Sequence, residues 1–298
     1  MAGTVVILNP KAGSVREITS LTKRLRDLPD TEVLITTGKT AATRFARKAV
    51  ERGCDTIVAA GGDGTLNEVL NGMAADRARV RLGLIPLGTG NDFARTIGLP
   101  TDFNEAIDVL TTGRDRAIDL VRVTSKQVRY FINVSAGGFS GLVDEKLTPK
   151  MKKAWGPLAY LRCAVAALPQ LHAYRTAVSF GGGKRLNLDV YNVIVANGRY
   201  AGGGTLIAPR ASVDDGLLDV ILILERPATD LALLAAQVAL GKHLSSKTIV
   251  FQRAAKVRVK SRPGMWFNVD GELVGNDPVT FEVLPRALRF VVPRRTTR

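Results

Sequence analysis

A glycine-rich segment that carries one aspartate is the strongest chemical signal in the sequence. Gly61–Thr65 (GGDGT) follows the apolar run Thr56–Ala60 and opens a stretch with helical spacing. Glycine lets backbone N–H groups approach a phosphate closely, and a helix N-terminus adds positive partial charge. Asp63 would repel a phosphate unless a cation joins the two, and Mg²⁺ suits that role. We therefore predict a phosphate-binding loop with Asp63 exposed on it, followed by a helix that Thr65 and Glu68 cap. A glycine-rich turn without a ligand is the alternative.

Two further segments follow apolar runs and carry glycine and polar residues. Asn9–Ser14 (NPKAGS) offers donors for phosphate, although an ordinary proline turn explains it equally well. Pro86–Arg95 (PLGTGNDFAR) adds more glycine, and we expect Asn91 or Asp92 to cap the helix after it. The Walker and GxGxxG nucleotide-binding patterns do not occur at these loops. If the preceding runs are parallel strands, the three loops lie at one sheet edge, where a nucleotide would bind.

Two acidic turns mark the second half of the sequence. Asn268–Glu272 (NVDGE) is either a hairpin turn or a site where Asp270 or Glu272 acts as general base for a hydroxyl nucleophile. Ser212–Leu217 (SVDDGL) is either a polar turn or a cation site that uses Asp215 and backbone carbonyls. The sequence alone leaves both pairs of alternatives open.

Histidine and cysteine are scarce, which excludes some classes of protein. The chain has two of each and no CxxC pair, so a zinc finger and a disulfide scaffold are excluded. His172 and His243 each follow an apolar helical stretch. We predict surface or helix-cap positions for both histidines and no catalytic role.

The elements that would position these residues change character near residue 122. Before it, short apolar runs alternate with helical patterns, which predicts a doubly wound parallel α/β sheet. The predicted strands are 4–8, 32–36, 56–60 and 81–85, and the predicted helices are 15–28, 40–52, 65–76 and 103–112. The length of 298 residues suits about two domains.

After residue 122, β-prone runs separated by turn clusters predict an antiparallel β-sandwich or barrel-like domain. The predicted strands are 129–134, 176–180, 189–196, 219–224, 248–251, 255–260, 265–269, 279–284 and 287–292. Two helices, about 155–171 and 228–241, are expected to interrupt them.

The charge balance favours an acidic partner. Lys and Arg number 42 against 27 Asp and Glu, a formal charge of +15. Nucleic acid, an anionic membrane and a phosphorylated substrate all suit such an excess. Nucleic acid is not expected, because the basic residues are dispersed and no aromatic-studded RNA motif occurs.

The sequence predicts a cytoplasmic protein, and any membrane contact is expected to be peripheral. We recognise no signal peptide, and no apolar run reaches about 18 residues. The predicted membrane contacts are a lysine cluster and the tryptophan beside it, although a solvated helix face is an equal alternative. These residues are Lys146, Lys150, Lys152, Lys153 and Trp155.

Seven segments, in their order and spacing, resemble the diacylglycerol kinase catalytic-domain family. They are LNPKAGS, AAGGDGTLNEVLNG, GLIPLGTGNDFART, FINVSAGGFSG, NGRYAGGG, ASVDDGLLDV and NVDGE. The resemblance covers nearly the whole chain and is strongest to the family's soluble bacterial lipid kinases. Sphingosine and ceramide kinases share the core, and NAD kinases and phosphofructokinases share the GGDG loop. The core motifs show no departure from the family pattern.

The resemblance implies a role for each matching residue. It makes Glu272 the catalytic base, with Asp270 beside it and Asp63 engaging Mg²⁺-nucleotide. It implies a supporting charged network of Asp92, Arg95 and Asp119, and a structural Mg²⁺ site of Ser212, Asp215 and Leu217. The implied ATP-binding residues are Asn9, Pro10, Lys11, Ala12, Gly13, Thr36, Gly61, Gly62, Asp63, Gly64, Thr65, Leu66, Asn67 and Thr89.

The resemblance also implies an ATP-dependent lipid kinase. Residues 1–122 with about 285–298 would form the ATP-binding domain, and 123–284 the lipid-substrate domain. The expected reaction moves the γ-phosphate of ATP to a lipid hydroxyl, with diacylglycerol giving phosphatidic acid. The alternatives are a sphingoid, ceramide or NAD-kinase-like enzyme, or a basic protein that binds nucleic acid or lipid without turnover. The expected partners are ATP and a lipid at a membrane surface, and a homodimer is left open.

Overall fold

A computed structural model of the protein describes residues 3–13, 15, 17–73, 79–138, 172–269, 272–276 and 278–294, with the backbone alone for Glu272. The chain divides into two compact units, residues 1–120 with 285–298, and residues 121–284. Among the described helices, none combines the length and the hydropathy needed to cross a membrane.

The first unit is built on a parallel sheet with the order β2–β1–β3–β4. β3 is buried along its whole length, as expected for strands covered on both faces. Helix α2 buries four alanines at spacings of one, three and four residues, which places one stripe on the core. The elements are β1 (Thr4–Leu8), α1 (Ile18–Arg26), β2 (Thr31–Ile35), α2 (Ala41–Glu51), β3 (Thr56–Gly61), α3 (Asp63–Met73), β4 (Arg81–Pro86), α4 (Asp92–Ile97) and α5 (Phe103–Thr112).

The second unit is antiparallel and rich in strands. The remaining elements are β5 (Arg114–Thr124), β6 (Val128–Phe131), β7 (Val134–Gly138), β8 (Tyr174–Phe180), β9 (Arg185–Ala196), β10 (Tyr200–Ala201), β11 (Thr205–Leu206), β12 (Leu218–Leu224), α6 (Ala228–Ala239), β13 (Ile249–Ala254), β14 (Lys256–Arg262), β15 (Phe267–Val269), β16 (Glu272–Val274) and β17 (Val279–Val292). A short 3-10 helix spans His243–Ser245. The unit boundaries fall inside β5 and β17.

The strands of the second unit run in the order β16–β15–β7–β9–β8–β14–β17, and β9 also pairs with β12. Apolar residues at alternate positions fill its core. Phe281 lies at the centre of an aromatic cluster, with ring centroids 5.1 Å from Phe267 and 6.3 Å from Phe131, both edge to face. The parallel first sheet and the antiparallel second sheet confirm the predicted fold class.

Several predicted elements differ from the structure. β5 was not predicted, because charged residues interrupt its apolar positions. The expected strand 129–134 is two strands, β6 and β7, and the expected strands 279–284 and 287–292 are one strand, β17. Pro285 and Arg286 lie between the two expected strands, and the strand continues through them with a positive φ of 50° at Arg286. The predicted helix 155–171 lies outside the described residues.

Candidate active site

Polar and glycine-rich segments follow four neighbouring strands of the first unit. Asn9–Gly13 follows β1, Thr36 follows β2, Gly61 ends β3, and Gly88–Asn91 follows β4. The four strands are parallel neighbours, so these segments lie at one edge of the sheet. In open α/β sheets, this carboxyl edge is where ligands bind.

Asn9 joins the first loop to the start of helix α3. Its Nδ2 donates a hydrogen bond of 3.0 Å to Thr65 Oγ1. A β-carbon at Gly61 would lie 2.4 Å from the same oxygen, so Gly61 leaves the space that Thr65 fills. Thr65 is buried inside α3, which begins at Asp63. The predicted capping box of Thr65 and Glu68 is therefore wrong, because the helix starts two residues earlier.

Glycine residues allow the loop after β4 to pack closely against the loops after β1 and β3. A β-carbon at Gly88 would lie 2.5 Å from Gly62 Cα, and one at Gly13 would lie 2.3 Å from Thr89 Oγ1. Gly62 and Gly88 are not among the described residues with positive φ. Close approach of the two backbones, and not an unusual backbone angle, is what requires glycine at this point.

Asp63 caps helix α4 from a distance. Its Oδ2 accepts the N–H of Asp92 at 3.1 Å, and its Oδ1 accepts the N–H of Phe93 at 3.0 Å. The Asn91 side chain instead accepts the Gly88 N–H at 2.9 Å and donates to the Gly88 carbonyl at 2.8 Å. Asn91 occupies the N-cap position of α4, as expected, but its side chain makes no capping hydrogen bond there. Asp63 is half-buried in helix α3, so the predicted exposed position on a loop is wrong.

The other predicted nucleotide residues divide into exposed and buried groups. Lys11, Gly64 and Thr89 are exposed, and the Lys11 N–H donates to Asn9 Oδ1 at 3.0 Å. Pro10, Ala12 and Thr36 are half-buried. Leu66 and Asn67 are buried, so Leu66 supports the loop by packing and does not offer a surface to a ligand.

The residues of the predicted charged network lie in helix α4 and strand β5. Arg95 Nε donates to the Gly90 carbonyl at 3.2 Å, so it braces the third loop. Asp119 is fully buried, and its Oδ1 accepts the Arg286 N–H at 2.8 Å. Asp92 is buried at the start of α4. Asp119 therefore holds the bend at Arg286 within β17.

Comparison with known families decides the assignment. Residues 3–123 match the diacylglycerol kinase catalytic domain, and residues 133–292 match the YegS C-terminal domain, described as NAD kinase beta sandwich-like. The chain belongs to the diacylglycerol kinase family. It is therefore an enzyme of the lipid kinase class that uses ATP.

Curated relatives of this diacylglycerol kinase family member agree over most of its length. It is 34% identical to the diacylglycerol kinase of Bacillus subtilis (strain 168) over 266 residues, which cover 89% of this chain and 86% of the relative. It is 33% identical over 292 residues to a protein of Klebsiella pneumoniae (strain 342) named "Probable lipid kinase YegS-like". The match covers 97% of this chain and 96% of the relative.

Solved structures show the same fold. A crystal structure of a candidate diacylglycerol kinase from Bacillus anthracis str. Sterne is 26% identical, with a TM-score of 0.84 and coverage of 97% of this chain and 94% of that one. A second structure from the same organism is 24% identical, with a TM-score of 0.80 and coverage of 97% and 96%. The second likeness supports the fold alone.

The predicted general base of the family member is described in part. The backbone of Glu272 opens β16 and pairs with Val269 of β15, as expected for a hairpin. Asp270 and Gly271 lie outside the described residues. Glu272 and Asp270 as catalytic residues remain predictions.

The proposed structural magnesium site does not fit the contacts that Asp215 makes. Its Oδ1 accepts the Leu217 N–H at 3.0 Å, and its Oδ2 pairs with the Arg253 guanidinium. The Ser212 hydroxyl donates to Asp214 Oδ1 at 2.8 Å. Within the described ranges, no group of three His, Cys, Asp or Glu residues could hold a metal. Both oxygens of the Asp215 carboxylate are therefore already engaged, one by the Leu217 N–H and one by Arg253, which Asp219 shares.

Two buried polar residues of the second unit were missed or misjudged from the sequence. His243 is fully buried inside the short 3-10 helix, so the predicted surface or helix-cap position is wrong for it, whereas His172 is exposed. His243 Nε2 lies 2.7 Å from the Ile207 carbonyl oxygen, and burial lowers the pKa of the imidazole. Asp219 is also fully buried, and Arg253 Nε donates to its Oδ1 at 2.9 Å. A single histidine after an apolar helix gives no sequence signal for such burial.

Proposed function

We propose that this enzyme transfers the γ-phosphate of ATP to the hydroxyl of diacylglycerol and so forms phosphatidic acid. The first unit would bind ATP, and the second would bind the lipid. The observation that carries the proposal is the packing of three loops against one another, with Gly62 against Gly88 and Asn9 against Thr65. This arrangement places glycine backbone and a helix N-terminus at one sheet edge, where phosphates bind.

The residues at this edge would act mainly by position and charge. Phosphoryl transfer depends on holding the donor and acceptor in line and on stabilising charge on the phosphate oxygens. Backbone N–H groups of the glycine loops and the exposed Lys11 would bind the phosphates. Asn9 and Asp63 would keep the loops in place, because Asn9 contacts Thr65 of helix α3 and Asp63 contacts the start of helix α4.

A general base and a divalent cation complete the proposal. Glu272 would accept the proton of the lipid hydroxyl, with Asp270 as its neighbour. Magnesium bound with the nucleotide would neutralise phosphate charge. Asp63 could bind this cation. Its carboxylate has about four acceptor sites, and the two N–H bonds that it accepts leave sites on both oxygens for a metal ion.

The test is phosphorylation of a substrate panel with labelled ATP. Diacylglycerol, sphingosine and ceramide would be supplied in nonionic detergent micelles, and NAD in solution. We expect phosphatidic acid as the main labelled product, formed only when Mg²⁺ is present. Faster labelling of sphingosine, ceramide or NAD than of diacylglycerol would overturn the proposed acceptor.

Peripheral membrane contact is a further part of the proposal, and a homodimer is left open. The lysine cluster Lys146, Lys150, Lys152 and Lys153, with Trp155, lies outside the described residues. Vesicle co-sedimentation tests the membrane contact, and sedimentation equilibrium of the purified chain tests the dimer.

A further inference from the structure

The solvent side of strand β14 carries only cations. Lys256, Arg258, Lys260 and Arg262 are all exposed, whereas Val257 and Val259 between them are buried in the core of the second unit. Successive side chains on one face of a strand are about 7 Å apart. Each charge therefore lies within the Debye length of its neighbour at physiological salt, about 8 Å.

The strands beside β14 extend this row into a surface. Arg262 lies opposite Arg175 of β8, and Arg258 lies opposite Ser179, which in turn pairs with Arg185 of β9. Residues paired across strands project from the same face. We call these six exposed residues the basic face: Arg175, Arg185, Lys256, Arg258, Lys260 and Arg262.

Ordinary structural reasons do not account for the basic face. Lysine on an edge strand blocks unwanted pairing, but β14 is paired with β8 on one side and β17 on the other. Arg262 and Arg175 face each other directly, and like charges in this position are destabilising. Strand pairing therefore places these two like charges side by side, and the pairing itself gives no structural reason for them.

Two acidic side chains neutralise part of the positive charge of the basic face. Arg175 lies 3.9 Å from Asp189, and Lys256 lies 3.3 Å from Glu282. In the described part of the chain, no carboxylate forms an ion pair with Arg258, Lys260 or Arg262. The centre of the face keeps an uncompensated positive charge.

An exposed tryptophan follows the end of the cationic strand. Trp266 is 51% exposed and comes four residues after Arg262, a span of at most about 14 Å. The intervening turn is fixed, because the Met265 N–H donates to Ser261 Oγ at 3.0 Å. Tryptophan side chains favour the interface between water and the lipid headgroups.

We propose that the basic face, with Trp266 at its end, docks the protein on an anionic lipid bilayer. The inference rests on the proposed function, because a kinase whose acceptor is diacylglycerol must meet a bilayer. A continuous array of cations on one face of a sheet suits an anionic surface. Sheets that bind single-stranded nucleic acid stack bases on aromatic side chains. The outward positions of β8, β9 and β14 paired here carry Arg, Lys, Ala, Ser, Asn and Asp instead.

The experiment compares two triple variants of equal charge change. One removes the centre of the basic face, Arg258→Gln, Lys260→Gln and Arg262→Gln. The matched control removes three exposed cations of the second unit that lie off this face, Arg226→Gln, Lys242→Gln and Lys247→Gln. Each protein is co-sedimented with vesicles of phosphatidylcholine alone and with phosphatidylglycerol added, at low and high salt.

We expect the basic-face variant to lose roughly 10- to 100-fold in affinity for the anionic vesicles, while the control changes by less than about threefold. Parental binding should weaken with salt and be slight on neutral vesicles. Equal losses in the two variants, or equal parental binding to neutral and anionic vesicles, would overturn the proposal. Displacement from vesicles by duplex DNA at equal phosphate concentration would also overturn it, in favour of nucleic acid.

Two further readouts separate this inference from the proposed reaction. Activity on diacylglycerol in nonionic micelles should be unchanged in the basic-face variant, because the variant residues lie outside the nucleotide loops. Vesicle binding by a parent that phosphorylates no lipid would refute the reaction and leave the docking surface standing. Trp266 emission, measured in a Trp155→Phe background, should shift to the blue on anionic vesicles, and a constant emission would exclude Trp266 from the contact.

Discussion

The backbones of Gly62 and Gly88 are in close contact, so that a β-carbon on Gly88 would lie 2.5 Å from Gly62 Cα. Gly62 follows β3 and Gly88 follows β4, and these strands are parallel neighbours. The two loops thus approach each other without side chains between them. This contact fixes the spacing of the second and third loops at the sheet edge where we place ATP.

Gly88→Ala should lower the free energy of unfolding and weaken ATP binding. The added methyl has no space beside Gly62 or the Asn91 side chain, and forcing a group into packed structure costs about 1–3 kcal/mol. Gly64→Ala is the control for the unfolding measurement alone, because nothing in the protein lies within 4 Å of a β-carbon there. Chemical denaturation and calorimetric ATP titration measure both effects. A Gly88→Ala protein as stable as the parent would show that the contact is not tight.

Asp63→Ala should reduce both stability and turnover. It removes the acceptor for the Asp92 and Phe93 N–H groups, and loss of a helix cap costs about 0.5–2 kcal/mol. Asp63→Asn keeps one oxygen acceptor and should cost less in stability. If Asp63 also engages the nucleotide cation, the Asn variant still loses at least about tenfold in rate. An Asn variant with parental activity would assign Asp63 a capping role alone.

Glu272→Gln should lower kcat by about 10²–10⁴-fold with little change in ATP affinity, because the amide cannot accept the proton of the lipid hydroxyl. Asp270→Asn shows which of the two carboxylates acts as base. The rates are measured on diacylglycerol in micelles, so that vesicle binding does not enter. A fall of less than about threefold in the Gln variant would reduce Glu272 to a residue of the β15–β16 hairpin.

Stability should decrease as the pH falls below the ordinary histidine pKa of 6.5, because burial lowers the pKa of His243. Between the folded and unfolded pKa values, the unfolded chain binds a proton that the folded chain does not. The free energy of unfolding therefore rises with pH in this window, by at most about 1.4 kcal/mol per pH unit. His243→Gln should remove this dependence and His172→Gln, at an exposed position, should keep it. Urea unfolding at several pH values makes the comparison.

The melting temperature of the parent should be the same with Mg²⁺ as with a chelator when no nucleotide is present. Arg253 pairs with both Asp215 and the buried Asp219, so each of these carboxylates already has a cationic partner without a metal ion. Arg253→Gln should destabilise the protein by about 3 kcal/mol, because it leaves a buried carboxylate unpaired. Added Mg²⁺ should restore part of that loss. A lower melting temperature of the parent protein in the chelator than in Mg²⁺ would show that a cation binds at Asp215 beside Arg253.

Local sequence signals are enough to predict many of the elements and loops of this protein. Glycine-rich loops at the ends of β1, β3 and β4 are visible because apolar runs and turn residues alternate within a few positions. The parallel and antiparallel halves follow from the same periodicity. These patterns place Gly61–Asn67 at the start of a helix without any knowledge of distant contacts.

Contacts between residues that are far apart in the sequence depend on the tertiary structure. Asp63 caps helix α4 across 29 residues, and this depends on the pairing of β3 with β4. The burial of His243 and the ion pair of Arg253 with Asp215 likewise arise from neighbours distant in the chain. The basic face arises only when the register sets Arg262 opposite Arg175. Side-chain periodicity shows which residues share a face of one strand, whereas strand pairing alone determines which strands bring their charges together.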